Sequence, residues 1–187
     1  MYAILDCDDL HLSEVNKLKL SGVKTVFCKL PDELPNAEIK KYNGVSGVLL
    51  SDVIHFLTGD EIEKVIEWVY DILIPNGKLF ITVVTPYFNF LPHAENEVCP
   101  VCAFMRDEYA KGIANGDKWP YGDGLKMRQM LQEDRFKHMV KLSGIDVEKQ
   151  IPEMVHPVGL ELVTAIQEAG FQVLSHAMEW REVSVVH

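Results

Sequence analysis

The 187-residue sequence lacks several features that would assign it to a specialised class of protein. No apolar run approaches the roughly 18 residues that a membrane-spanning helix needs, and no signal pattern opens the chain. Positive charge is scarce, because 18 Lys and Arg stand against 28 Asp and Glu and leave a formal net charge of -10. Binding to a phosphate backbone requires a basic surface. These absences predict a cytoplasmic protein whose partners are neither membranes nor nucleic acid.

Cysteine is also sparse, with four residues in the whole chain, which is far below the density of a disulfide scaffold. Cys99 and Cys102 have the C-x-x-C spacing that can supply two thiolates to zinc, and His93 is a candidate third ligand. The sequence has no second C-x-x-C and no H-x3-H, and the strand-then-helix context of a redox pair is missing. A structural or incidental role is the main interpretation, so we predict no metal site.

What the sequence does contain is a strongly patterned stretch from Gly44 to Pro86. Val45 to Leu50 is a short apolar run rich in β-formers, as in a parallel strand that is covered on both faces. Thr58 or Asp60 can cap the helix that follows. Its apolar residues recur at i, i+3, i+4 and i+7, which is typical of an amphipathic helix: Ile62, Val65, Ile66, Val69, Ile72 and Leu73.

The end of this helix and the next strand are also marked. Pro75 cannot continue the helix, and Asn76-Gly77 supplies a left-handed turn. Lys78 to Val84 is then a second buried strand. The stretch therefore predicts a complete βαβ unit.

These residues resemble a known family. SDVIHFL (51–57) and ILIPNGKLFITVVTP (72–86) are similar to the strand ends and turns around the fourth helix of the class I S-adenosylmethionine-dependent methyltransferases. Further segments resemble the family's second, third, sixth and seventh strands, and together the likeness covers about two thirds of the chain. These segments are Tyr2 to Asp6, Val23 to Lys29, Pro157 to Met178 with its late helix, and Glu182 to His187.

The resemblance implies an α/β fold with a doubly wound, mostly parallel sheet, in a single methyltransferase-like domain over residues 1–187. A helical insert, Tyr87 to Ile151, follows the strand at Lys78 to Val84. Insertion at that point places it at the carboxyl edge of the sheet, where ligands bind, so we predict a lid. We expect helices near Val101 to Ala114 and near Gly124 to Leu142, with methionine and aromatic side chains that pack the insert against the main domain.

One departure from the family concerns its glycine-rich cofactor loop. No G-x-G-x-x-G follows a strand here, since Gly44-Val-Ser-Gly47 precedes a strand and Gly122-Asp-Gly124 has no apolar run before it. Two explanations are open: the sequence is an N-terminally incomplete version of a longer enzyme, or the domain has lost its cofactor loop. Without the family's central first strand, the strands on either side of its position must either pair directly with each other or leave a gap in the sheet.

The resemblance also implies S-adenosylmethionine as the cofactor and assigns its binding residues. Asp6, at the end of a strand and followed by Cys7, would accept hydrogen bonds from the ribose hydroxyls. Leu30 and Pro31 occupy the position that flanks the adenine. Ser51 and Asp52 would lie beside the methyl-transfer position. The predicted cofactor-binding set is Asp6, Cys7, Leu30, Pro31, Ser51 and Asp52.

His55 follows Asp52 within one turn and is the candidate general base, although it could equally cap the next helix or pack under the insert. Tyr87, Trp119 and Tyr121 are the aromatic residues of the insert that we predict to contact the substrate. The predicted function is therefore an S-adenosylmethionine-dependent methyltransferase that acts on a small molecule. The alternative is a non-catalytic methyltransferase-like module that binds a partner.

Overall fold

A computed structural model describes residues 2–6, 9–36, 39, 41, 43–83, 85, 100–143, 147–150, 154–155, 159–177 and 182–186. Strands and helices alternate along most of this chain, as expected of an α/β fold. The elements are β1 (Tyr2–Asp6), α1 (Asp9–Lys17), β2 (Val23–Phe27), β3 (Val45–Ser51), a 3-10 turn (Ile54–Phe56), α2 (Gly59–Ile72), β4 (Leu73–Thr82), α3 (Pro100–Asn115), β5 (Gly122–Asp123), α4 (Gly124–Gln132), α5 (Asp134–Ser143), α6 (Val147–Gln150), β6 (Met154–Val155), α7 (Leu160–Glu168), β7 (Gln172–Ala177) and β8 (Glu182–Val186).

The predicted βαβ unit is present as β3, α2 and β4. β3 and β4 are parallel, and α2 packs on them through five of the six apolar residues that its periodicity singled out; the sixth, Leu73, belongs to β4 and not to the helix as predicted. Thr58, rather than Asp60, is the N-cap of α2, and its backbone N–H donates to Glu61 Oε2 at 2.7 Å. β4 begins at Leu73 instead of Lys78, because Leu73 already pairs with Val45 across an irregular stretch. Asn76 in that stretch has the predicted left-handed conformation, with a φ of 64°.

The sheet is divided into two parts. β1 and β2 form a parallel pair, whereas β3, β4, β8 and β7 form a four-stranded sheet in which β8 is antiparallel to both neighbours. In the part of the chain that the structure describes, no strand joins β1 to β3. The sequence left two arrangements open, and the chain adopts the one in which β1 and β3 do not pair. We call this break in strand pairing the gap. Leu5 of β1 packs against the same apolar cluster as α2, so the two parts share one core.

Helices lie on both faces of this divided sheet. Leu5 points to the core beneath α2, whereas its neighbour Ile4 pairs with Thr25, whose hydroxyl donates to Asn16 Oδ1 of α1 at 3.1 Å. Because successive side chains in a strand point to opposite faces, α1 covers the face opposite to α2. This placement is that of a doubly wound fold.

One region of the α1 face is not covered. Leu49 of β3 and Phe80 of β4 are register partners there, and they are 64% and 43% exposed. Leu50 and Ile81, their neighbours on the α2 face, are 5% and 1% exposed. The prediction that this strand is covered on both faces is therefore wrong for one of them. We call the surface formed by Leu49 and Phe80 the bare face.

The insert contains the first predicted helix, as α3, but the second is interrupted. Instead of one helix from Gly124 to Leu142, α4 ends at Gln132 and α5 starts at Asp134, whose carboxylate suits a new helix N-terminus. The apolar side chains of the insert pack mainly on one another, not against the main domain as predicted. This insert cluster consists of Cys102, Met105, Met127, Leu131, Phe136 and Val147.

Two neighbouring leucines test which face of β3 is buried. We expect Leu50→Ala to lower the free energy of unfolding of the main domain by about 2–5 kcal/mol, because it leaves a cavity. Leu49→Ala should change it by less than about 1 kcal/mol, because Leu49 is mostly in water. Urea denaturation of the two variants measures both values. Equal losses would show that the bare face is in fact covered.

Candidate functional site

Three of the predicted cofactor residues lie at the carboxyl ends of strands on the two sides of the gap. Asp6 ends β1, Ser51 ends β3 and Asp52 follows it. In doubly wound folds, ligands bind in the crevice outside the carboxyl ends of the strands. The structure therefore places Asp6, Ser51 and Asp52 at strand carboxyl ends, where such folds bind ligands, and their contact with a nucleotide stays a prediction.

The carboxylate of Asp6 has a neighbour that the sequence reasoning missed. Its Oδ2 lies 3.2 Å from Nδ1 of His11 on α1, and both side chains are at least one-third exposed. The only available signal was spacing, because His11 lies in the first turn of the helix that follows the strand. His11 therefore lies within hydrogen-bond distance of one oxygen of the predicted ribose-binding carboxylate.

Ser51 and Asp52 are tied to the end of β4. Ser51 Oγ lies 3.0 Å from Thr82 Oγ1, and the backbone N–H of Asp52 donates to the carbonyl of Thr82 at 2.9 Å. Asp52 has a left-handed backbone with a φ of 53°, a conformation that Asp tolerates better than most residues. Such conformations cluster at functional sites, and here the turn presents two exposed polar side chains at the sheet edge.

The remaining predicted cofactor residues have mixed positions. Leu30 packs partly against the main core, and Pro31, which follows a cis peptide bond, is buried. Cys7 lies outside the described residues, as does Tyr87 of the predicted substrate set. Contact of Leu30 and Pro31 with an adenine ring stays a prediction.

His55 is buried in the 3-10 turn that follows β3, with 7% of its surface exposed. Its ring lies 4.1 Å from that of Phe56, and β6, which pairs with β5 of the insert, lies beside the turn. The helix-capping alternative is wrong, because Thr58 caps α2. Two interpretations of His55 remain: it packs beneath the insert, or it acts as a general base.

Trp119 joins the insert to the first turn of α2. Its indole Nε1 donates to Glu63 Oε1 at 2.8 Å, and Lys118 Nζ lies 2.8 Å from the same oxygen and 3.7 Å from Glu168 Oε2. The ring fills a notch over Gly59, since a Cβ atom added there would lie 2.2 Å from Trp119 Cδ1. Trp119 therefore has a structural role, and its predicted contact with substrate stays a prediction. Tyr121, two residues later, is 51% exposed.

A second contact joins the insert to the start of α7. The Tyr109 hydroxyl donates to Glu161 Oε2 at 2.7 Å, and the Gly159 backbone N–H donates to Glu161 Oε1 at 2.6 Å. A Cβ atom at Gly159 would lie 2.3 Å from the Tyr109 hydroxyl oxygen. Because α2 starts where β3 ends, the two contacts together hold the insert beside the carboxyl edge. Its action as a lid stays a prediction.

Solved structures of similar fold are numerous, although no family model matches the sequence and no curated protein matches it. An O-methyltransferase family protein from Burkholderia thailandensis has a TM-score of 0.50 at 16% identity over 98% of this chain. An S-adenosylmethionine-dependent methyltransferase from Mesorhizobium loti has a TM-score of 0.54 at 13% identity over 99%. PKMT2 from Rickettsia typhi, solved in complex with AdoHcy, has a TM-score of 0.51 at 12% identity over 92%.

The fold is that of the class I methyltransferases. The predicted α/β fold class and the resemblance stated from the sequence are confirmed at this level. The chain spans 42%, 79% and 34%, respectively, of the lengths of these three proteins. The methyltransferase fold is thus shown at low sequence identity.

Two further findings bear on the class of site. The described residues include no group of three or more His, Cys, Asp or Glu that could hold a metal ion. Cys102 is buried in the insert cluster, while Cys99 and His93 lie outside the described residues. None of the helices that the structure describes is long and apolar enough to cross a bilayer.

Charge strengthens the contact between the insert and α2. Lys118 lowers the pKa of Glu63 below its ordinary value of 4.5, and the hydrogen bond from Trp119 lowers it further. A depressed carboxylate pKa stabilises the folded form above the ordinary value, and this contribution is lost as the pH falls through the depressed value. The contact should therefore weaken in acid.

The indole N–H resonance of Trp119 can report this weakening by NMR. We expect it to shift as the pH falls from about 6 to about 3, because protonation of Glu63 removes its attraction for Lys118. Glu63→Gln should abolish this titration, since the amide oxygen still accepts the indole hydrogen bond but carries no charge. Glu67→Gln, one turn along the same helix, is the control and should titrate like the wild type. A titration that persists in Glu63→Gln would exclude Glu63 as its origin.

Proposed function

We propose that this chain functions as an S-adenosylmethionine-dependent methyltransferase that acts on a small molecule. The observation that carries the proposal is the position of Asp6, Ser51 and Asp52 at the carboxyl edge of a methyltransferase fold, on both sides of the gap between β1 and β3. The carboxyl edge of the strands is the usual place for a ligand in such sheets.

Each predicted residue has a defined task in this proposal. The Asp6 carboxylate accepts hydrogen bonds from the ribose hydroxyls, and Cys7 follows it in the chain. Leu30 and Pro31 provide apolar contact for the adenine. Ser51 and Asp52 lie near the methionine part of the cofactor, where an exposed carboxylate can accept hydrogen bonds from an ammonium group.

Methyl transfer from a sulfonium is an in-line displacement at a carbon that is already activated. The protein mainly has to hold the acceptor atom close and aligned, and to remove its proton where the pKa demands it. His55 is the residue we propose for that proton transfer, because it follows the end of β3 and histidine is the side chain that most often serves as a general base.

The acceptor that we propose is a small molecule. The net charge of -10 disfavours nucleic acid, and the insert beside the carboxyl edge can enclose a compact substrate. Tyr121 is exposed on that insert, and Tyr87 precedes its described part, so both are proposed to contact the acceptor along with Trp119.

The gap in the sheet supports the alternative function, a non-catalytic module that binds a partner. No glycine-rich turn follows a strand in this sequence, so the backbone donors that usually cradle the cofactor are missing from it. Cofactor binding by the protein distinguishes the two functions, because the alternative predicts none.

Calorimetry with S-adenosylhomocysteine tests the proposed cofactor site. We expect Asp6→Ala to weaken binding by about 1.5–3 kcal/mol, the usual value for hydrogen bonds to a charged group, with little change in melting temperature. Asp71→Ala, an exposed carboxylate at the far end of α2, is the control and should bind normally. If the wild type does not bind, the methyltransferase proposal fails. If Asp6→Ala unfolds the protein, Asp6 is structural.

A second test applies once an acceptor has been identified. His55→Ala should lower turnover by roughly 10²- to 10⁴-fold, because the acceptor would lose its general base, with nearly unchanged affinity for the methyl donor. Phe56→Ala, in the same turn but half exposed, controls for disruption of the turn. Turnover at the wild-type level in His55→Ala would leave His55 with a packing role alone.

A further inference from the structure

The candidate general base is enclosed beside the insert. His55 is 7% exposed in its 3-10 turn, and strand β6, which pairs with β5 of the insert, lies beside that turn. A general base must come within about 2.6–3.2 Å of the group whose proton it removes, or be joined to it by one water. At its low exposure His55 is too enclosed to meet an acceptor. The proposed chemistry therefore requires a part of the molecule to move aside.

The insert is the part that is suited to move. Lys118 and Trp119 both contact the carboxylate of Glu63, and the other described hydrogen bond to the main domain joins Tyr109 to Glu161. The side chains of Lys118 and Glu63 are 59% and 37% exposed, and ion pairs that are open to water stabilise a structure only slightly. The apolar side chains of the insert pack mainly on one another, so the insert cluster stays intact when these contacts break.

The loop that carries Trp119 belongs to the insert. The backbone N–H of Asp117 donates to the carbonyl of Gly112 on α3 at 3.0 Å. A Cβ atom at Gly112 would lie 2.7 Å from Pro120 Cβ, so the loop packs closely on α3. β5 follows Pro120 closely in the chain, and its partner β6 is the strand beside the turn of His55. The contacts at Trp119 and at His55 are therefore made by one body.

Trp119 holds this body closed by filling a space that glycine leaves. A Cβ atom at Gly59 would lie 2.2, 2.5 and 2.8 Å from Cδ1, Cγ and Cβ of Trp119. The side chain also packs against the main core. Gly59 stands in the first turn of α2 and does not have a positive φ, so the backbone accepts alanine there. One added methyl group thus opposes the closed arrangement and not the helix.

We propose that Trp119 is the latch of a gate. The insert opens as one body when the indole ring leaves Gly59, and this opening admits the acceptor to His55 and releases the product. The catalytic part of the inference rests on the proposed function, because it takes His55 as the general base. The opening itself is measured without cofactor or acceptor, through the release of Trp119 and the exposure of His55.

Two measurements on the whole chain report these two events. Exchange of the Trp119 indole N–H with solvent, followed by NMR, reports release of the latch, because this proton is held in a hydrogen bond in the closed arrangement. Acylation of imidazole rings by diethyl pyrocarbonate, located by mass spectrometry, reports exposure of His55. Each measurement has a reference in the same sample. The references are the indole N–H of Trp68, which is hydrogen-bonded within the main domain, and His11, whose side chain is 70% exposed.

We expect Gly59→Ala to raise both rates by about tenfold or more, because overpacking of this kind shifts a closed–open equilibrium by at least that factor. The two reference rates should not change. Asp60→Ala introduces the same residue at the next, exposed position and should leave both rates at the wild-type level. Glu63→Gln keeps the indole hydrogen bond but removes the attraction for Lys118, so it should raise both rates by one smaller, common factor.

Unequal responses would overturn the inference. If Gly59→Ala releases Trp119 without exposing His55, the loop moves alone and the insert is not a gate. If neither rate changes, Trp119 is not a latch. If exchange of Trp68 also rises in Gly59→Ala, that variant has unfolded, and the inference then fails unless both rates rise together in Glu63→Gln. A wild type that does not bind S-adenosylhomocysteine overturns the proposed function and the admission of an acceptor, whereas the two rates alone decide whether the gate exists.

Discussion

The packing of α2 on one face of β3 and β4 is the contact on which the other parts depend. Ile62, Val65, Ile66 and Val69 are almost fully buried against the strands, and each such side chain contributes about 1.5–3 kcal/mol when removed from water. α7 packs into the same cluster, and Leu5 anchors the β1–β2 pair to it across the gap. The insert in turn is joined to the N-terminal part of α2 through Glu63. A single helix therefore organises both parts of the sheet and the site at its edge.

Local pattern predicted the elements that this packing joins, because apolar periodicity and turn residues act over a few positions. Thr58, Asn76 and the apolar stripe of α2 could all be identified in this way. The bare face could not, since Leu49 and Leu50 belong to one apolar run, and only the position of α2 determines which of them is buried. The gap was one of two arrangements open from the sequence, because the pairing of strands that are far apart in the chain has no local signal.

In the candidate site, too, some features follow from the sequence and others depend on contacts between distant residues. The carboxyl-edge positions of Asp6, Ser51 and Asp52 follow from the fold class, because parallel strands all end at one edge. The contact of His11 with Asp6 is a side-chain contact that no sequence pattern fixes. Trp119 and Glu63 are 56 positions apart, so no local signal in the sequence indicates their hydrogen bond or the notch at Gly59 that the ring fills. Long-range contacts of this kind are where sequence reasoning fails.

The separate apolar cluster of the insert has a consequence for cooperativity. Its buried side chains pack on one another, and the two described contacts with the main domain consist of polar groups and aromatic rings seated over glycines. A region with its own core and few apolar ties to its neighbour opens as a unit of its own. We therefore expect the insert and the main domain to unfold as two units, although Trp119 of the insert also packs against the main core, and a single two-state free energy would then not describe the unfolding of the chain.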